Sequence, residues 1–152
     1  MPLDKNRKYP TVVISSYVFF IRDNEILLSR RYQTGYRDGE YGLPAGHIEN
    51  MEFASTTAIR EILEEVGVEI EPKNLIPAHI MHRHCDNHAR IDFFFSAKTW
   101  TGDLINTEPN KCDQIEWFSI DNLPEKTIPY VREAIEKWNS GKFYSEYTET
   151  YP

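Results

Sequence analysis

Cysteine is scarce: Cys85 and Cys112 are the only two in 152 residues. Two thiols in a chain of this length make no disulfide framework. Positive charge is also short. Seventeen Lys and Arg stand against 24 Asp and Glu, for a net charge of -7. A dedicated binder of nucleic acid polymers usually carries a basic patch, so none is expected as a partner. A nucleotide substrate is not excluded, because a bound metal reverses local charge. No apolar run reaches the roughly 18 residues a membrane span needs. Met1 to Pro10 is polar and basic, unlike a secretory signal. The expectation is a cytoplasmic protein with no membrane partner.

What the chain does have is a globular composition, 40% hydrophobic and 27% charged, in a length that suits one domain over 1–152. Thr11 to Ile21 reads as a strand. Asp23-Asn24 marks a turn, and Glu25 to Ser29 reads as the returning strand. Gln33 to Gly42 reads as a loop. Met51 to Val66 has helical spacing. Leu75 to Arg83, Arg90 to Ala97 and Gln114 to Ser119 read as strands. Asp121 to Pro124 looks like a turn. Val131, Ile135 and Trp138 recur at helical spacing, predicting a helix over Pro129 to Trp138 ended by Gly141. The tail Lys142 to Pro152 is expected to be loosely held. Strands on both sides of a central helix, with a late second helix, suggest a mixed sheet with helices packed on it, an α/β fold.

The segment Met51 to Val66 carries the chemistry. Ala54, Ala58, Ile62 and Val66 recur every fourth residue, and Ile59 and Leu63 widen that stripe. Gly67 is placed to take a left-handed cap, with Val68 making its hydrophobic contact. The other face is at odds with stability. Glu61, Glu64 and Glu65 sit at i, i+3 and i+4, where like charges cost a few tenths of a kcal/mol per pair. They also crowd the helix end whose dipole favours cations. Glu52 adds a carboxylate about two turns earlier. A hard cation removes the conflict, since Mg²⁺ takes carboxylate oxygens. Arg60 could orient one carboxylate through a bidentate pair. An acidic run of this kind is, taken alone, more often a solvated face.

The full spacing changes that balance. Gly46, Glu52, Arg60, Glu61, Ile62, Glu64, Glu65, Gly67 and Val68 are nine fixed positions over 23 residues. They resemble the Nudix box without departure: Gly, five residues, Glu, seven residues, Arg-Glu, an aliphatic, any residue, Glu-Glu, any residue, Gly, an aliphatic. The lead-in Leu43 to Glu49 and the late stretch Trp117 to Pro124 also look like segments of MutT-like members. The resemblance implies the Nudix fold, a mixed sheet sandwiched between helices. It implies that Glu61, Glu64 and Glu65, with the Gly46 carbonyl, hold Mg²⁺ (Mn²⁺ as a substitute). Arg60 would hold a glutamate in place and Glu52 would brace that network. Bound metal would neutralise a diphosphate and lower the pKa of water, with a nearby carboxylate as base. Relatives often place one more acid before the late strand; here Glu108 and Asp113 both qualify.

Substrate clues are weaker. Arg30 or Arg31 could contact phosphate, or both could be solvated. Tyr32, Tyr36 and Tyr41 could stack on a base, or pack their loop. Asp92 could read a base edge, or lie at the surface. His82, His84, Cys85 and His88 are metal-ligand types in no standard spacing; they are expected to line a cleft or lie exposed. The leading expectation is a nucleoside triphosphate pyrophosphohydrolase, acting on an NTP or an oxidised dNTP and releasing monophosphate and pyrophosphate. The alternatives are hydrolysis of a substituted nucleoside diphosphate such as ADP-ribose, and a sensor that binds nucleotide without cutting it. A homodimer is possible, as for many relatives.

Overall fold

A computed structural model describes residues 1–150; Tyr151 and Pro152 lie outside the described residues. Eight strands form one mixed sheet around β1 (Val12–Arg22). Its path runs β3 (Tyr41–Gly42), β2 (Glu25–Arg31), β1, β6 (Ala89–Ala97), β5 (Ile76–His84), β8 (Tyr144–Thr148). β4 (Ala45–His47) adds to β1, and β7 (Cys112–Ser119) adds to β2. β1 and β6 are parallel, with Ser15 opposite Asp92, while β5 and β6 are antiparallel, with Arg83 opposite Arg90.

Two helices cover the two faces. Side chains alternate across β1. Val18 and Phe20 pack with Ala58, Ile62 and Val66 of α1 (Ala54–Val66). Tyr17, Phe19 and Ile21 pack with Val131, Ala134 and Ile135 of α2 (Pro129–Asn139). From Tyr17 to Ile21 both faces of β1 are therefore apolar, and these residues read as one apolar run rather than an alternation. Burying each of the Val, Ile and Phe side chains among these contributes about 1.5–3 kcal/mol. The sheet sandwiched between helices is the architecture expected.

Several boundaries move. α1 begins at Ala54 rather than Met51, because Asn50 (φ 33°) and Met51 (φ 70°) take left-handed backbone that a right-handed helix excludes. Glu52 therefore lies in the loop before the helix, not on its surface. Leu63 is exposed, so the apolar stripe is narrower than expected. Gly67 takes the left-handed cap at φ 72°. α2 ends at Ser140 as its cap, and Gly141 (φ 81°) follows it. The tail is the largest correction. Tyr144–Thr148 pairs with β5 as a parallel strand, and Glu149 behind it is buried.

Candidate functional site

The cavity lies where β1 changes partner. Its first half pairs with β4, through Ser15 with His47 and Tyr17 with Ala45. Its far end pairs with β2, through Ile21 with Ile26. Between these pairings the chain opens a cavity of about 720 Å³. β4 and α1 supply one wall, β2 and the following loop another, and β5 and β6 the floor.

α1 delivers its carboxylates to this space. Glu61, Glu64, Glu65 and Arg60 all line it, as does Gly46. A side chain at Gly46 would stand 1.9 Å from Cδ of Glu61, so the absence of a Cβ is what lets that carboxylate lie against the strand. Glu65 accepts a hydrogen bond from the Ala45 amide at 3.0 Å. Burial, with repulsion from Glu61 and Glu108, still pushes its carboxyl up to about 8. Burial also raises Glu61, against the pull of Arg60. Glu64 is more exposed and faces Arg60 at 3.7 Å.

Arg60 ties the group to the preceding loop. Its Nε donates to Glu52 Oε1 and its Nη2 to Glu52 Oε2, both at 3.0 Å, while Nη1 donates to Glu61 at 2.8 Å. Bonds from Arg60 and Thr57 hold the Glu52 carboxyl down at about 2. Glu52 thus stays ionised and anchors Arg60.

The helix end recruits a further acid. Ile105 N–H donates to the Val66 carbonyl at 3.1 Å and Thr107 N–H to that of Glu65 at 3.2 Å. The Thr107 hydroxyl donates to the Glu64 carbonyl. These bonds satisfy the last carbonyls of α1 and bring Glu108 into the cavity wall, beside Lys111 at 2.9 Å. Asp113, the other candidate acid, is instead gripped by Arg30 at 2.8 and 2.9 Å and does not line the cavity.

The donor set suits a hard divalent cation. Three carboxylates and the backbone of Gly46 line one wall, and the most buried of the carboxylates resists ionising without a positive neighbour. Among the described residues, no three possible ligands already converge on one point. Among the described residues, the Glu64 carboxylate makes only the long ion pair with Arg60.

Of the substrate candidates, Arg30, Arg31 and Glu108 line the cavity. Tyr41 does not; it bonds Gln114 at 3.1 Å and packs edge-on against Phe118. Asp92 is a correction of a different kind. It is fully buried beneath the floor, bonded to Arg83 at 2.9 Å, and cannot itself meet a base. Tyr36 lines the cavity, but its hydroxyl bonds Glu149 at 2.7 Å and its ring faces Arg31. His82 and His84 share a face, their rings 4.9 Å apart, and neither lines the cavity. Sequence reasoning missed Arg83, Arg90, His47 and Tyr130, all of which do. The signal for Arg90 was available: it stands two residues before Asp92 on one strand, and so on the same face.

Comparison with known proteins places this geometry. The NUDIX domain model matches residues 12–138. The NAD-capped RNA hydrolase NudC of Stutzerimonas stutzeri is 32% identical over 116 residues, 76% of this chain and 40% of that protein. The NudC of Shigella dysenteriae is 28% identical over 125 residues, 82% of this chain and 46% of that protein. The chain therefore spans under half the length of these curated relatives. Among solved structures, a MutT NUDIX hydrolase from Burkholderia pseudomallei superposes with a TM-score of 0.75 at 26% identity, covering 83% of this chain and 97% of its own. A NUDIX hydrolase from Nitrosomonas europaea gives 0.73 at 26% identity, with 88% and 93% covered. With its glutamate helix set against β4 and a family match across most of its length, this chain belongs to the Nudix hydrolase family.

Proposed function

We propose that the chain is a Mg²⁺-dependent hydrolase of a phosphoanhydride bond in a nucleotide. The observation that carries this reading is the wall of Glu61, Glu64 and Glu65 in a cavity also lined by Arg30, Arg31 and Lys111. Those glutamates and the Gly46 carbonyl would hold the metal, with Mn²⁺ as a substitute. Bound metal supplies charge neutralisation on the phosphates and a more acidic water. Arg60 and Glu52 keep Glu61 oriented. Arg30, Arg31 and Lys111 orient the phosphate chain. Glu108, in the cavity lining, would take the proton from the attacking water.

A nucleoside triphosphate, cut to monophosphate and pyrophosphate, is the first substrate reading. A substituted nucleoside diphosphate is the second. It is favoured by the relatives named as NAD-capped RNA hydrolases, since NAD belongs to that chemical class. Their name also sets an RNA-borne substrate against the expectation of no nucleic acid partner. The proposed compartment is the cytoplasm; no described helix is long and apolar enough to cross a membrane.

The test is a panel of triphosphates, ADP-ribose, NAD and NAD-capped RNA, incubated with Mg²⁺ while phosphate, pyrophosphate and monophosphate are measured. Turnover of one class, lost in Glu64→Gln and Glu65→Gln with the fold intact, supports the reading. Tight binding with no turnover under any metal points to a sensor and overturns it.

A further inference from the structure

The floor of the cavity repeats, in positive charge, the conflict seen on α1. Arg83 on β5 and Arg90 on β6 are direct cross-strand partners, so their side chains share one face of the sheet. Like charges directly opposite one another weaken a strand pair. Burial sharpens the cost here, since the Arg83 side chain is 3% exposed and that of Arg90 15%. Both nevertheless line the cavity.

Their existing bonds use only part of each guanidinium. Arg83 donates Nε to Asp92 at 2.9 Å and Nη1 to Glu149, and its guanidinium lies 3.7 Å over the Tyr130 ring. Arg90 donates Nη2 to Ser15 Oγ at 2.7 Å and approaches His47 Nε2 at 3.0 Å. Among the described residues, Arg83 Nη2 and Arg90 Nη1 have no acceptor. Among the described residues, Arg90 Nε and Asp92 Oδ1 are buried without a hydrogen bond and face each other as a loose ion pair at 3.7 Å. Two guanidinium groups are thus held in the cavity lining, Arg83 by Asp92 and Glu149 and Arg90 by Ser15 and His47, with part of their N–H groups unused.

We propose that Arg83 and Arg90 form a subsite for an acceptor-only, oxygen-bearing group of the substrate. This rests on the reading of the cavity as a nucleotide site. Guanidinium groups donate and never accept. They suit the oxo edge of guanine or a phosphate oxyanion, and they reject the amino edge of adenine. Asp92 and Glu149 are positioning residues that act through the two arginines.

Binding without turnover separates this inference from the hydrolase reading. Calorimetry in chelator would use guanosine monophosphate, adenosine monophosphate and inorganic pyrophosphate as probes. The expected result is tighter binding of the guanosine probe, by about tenfold. Arg90→Gln removes that margin. Arg90→Lys does not restore it, since a point charge cannot replace a fork. If the oxyanion is the occupant instead, pyrophosphate binding weakens about tenfold in Arg90→Gln and largely recovers in Arg90→Lys. Arg90 is the test position because it is less buried than Arg83, and melting curves check that each variant folds. Unchanged binding of all three probes in a folded Arg90→Gln overturns the inference. If turnover is absent while the binding margin holds, the hydrolase reading alone fails.

Discussion

Gly46 shows how much one missing side chain decides. Its Cα faces the Glu61 carboxylate so closely that an added methyl would meet Cδ at 1.9 Å and Oε1 at 2.0 Å. Gly46→Ala is expected to displace Glu61 and cut kcat/KM at least about tenfold, a loss of some 1.4 kcal/mol of transition-state stabilisation. The melting temperature should barely change, because only a side chain must move. Full activity in this variant would contradict the placement of Glu61. Glu65 makes a separate, pH-dependent claim. Its folded carboxyl sits at about 8 against an ordinary 4.5. A raised carboxyl favours the protonated form, so its contribution to stability is complete below about 4.5 and is lost as pH rises through about 8. In chelator, Glu65→Gln should therefore gain stability over the parent chain as pH rises, on the order of a few kcal/mol at the alkaline end. Parallel melting curves across that window would rule this out.

At the scale of elements, β8 is the piece whose role is least apparent from the chain. Glu149 follows it and ties the tail to two other segments: Tyr36 at 2.7 Å and Arg37 at 3.2 Å in the loop after β2, and Arg83 on β5. Burial raises its carboxyl, but the Tyr36 bond and the charges of Arg83 and Arg37 prevail and hold it below the ordinary value. Glu149→Gln should cost about 2 kcal/mol, because it strips Arg83 of one of its two carboxylate partners while Asp92 remains. Urea melts would read that cost, and a loss well under 1 kcal/mol would show the link to be dispensable. The tail was misread from sequence for a physical reason. Tyr144 to Thr148 alternates weakly, and a parallel edge strand is recognisable only once β5 is in place beside it. The start of α1 failed similarly, since nothing in Asn50-Met51 announces left-handed backbone. The stripe of Ala54, Ala58, Ile62 and Val66, by contrast, was readable because four-residue spacing admits few other structures.

Across the whole molecule, two clusters of opposite sign, each of like charges, face one cavity. Carboxylates from α1 form one wall and guanidinium groups from β5 and β6 form the floor. The acidic wall was legible because all its members lie within one short segment of fixed spacing. The basic floor was not, because Arg83, Arg90 and Glu149 meet only through sheet pairing. Each set is unfavourable alone; a bound cation would relieve the first, and an acceptor group of a substrate the second. The account rests on the first set gathering a cation. Titration of Mn²⁺ followed by electron spin resonance tests it most directly, comparing the parent chain with Glu61→Gln, Glu64→Gln and Glu65→Gln. Saturable binding in the parent, weakened at least about tenfold in each variant and displaced by Mg²⁺, is the result the account predicts. Mn²⁺ that stays free in the parent chain, or binds all four proteins alike, would contradict it.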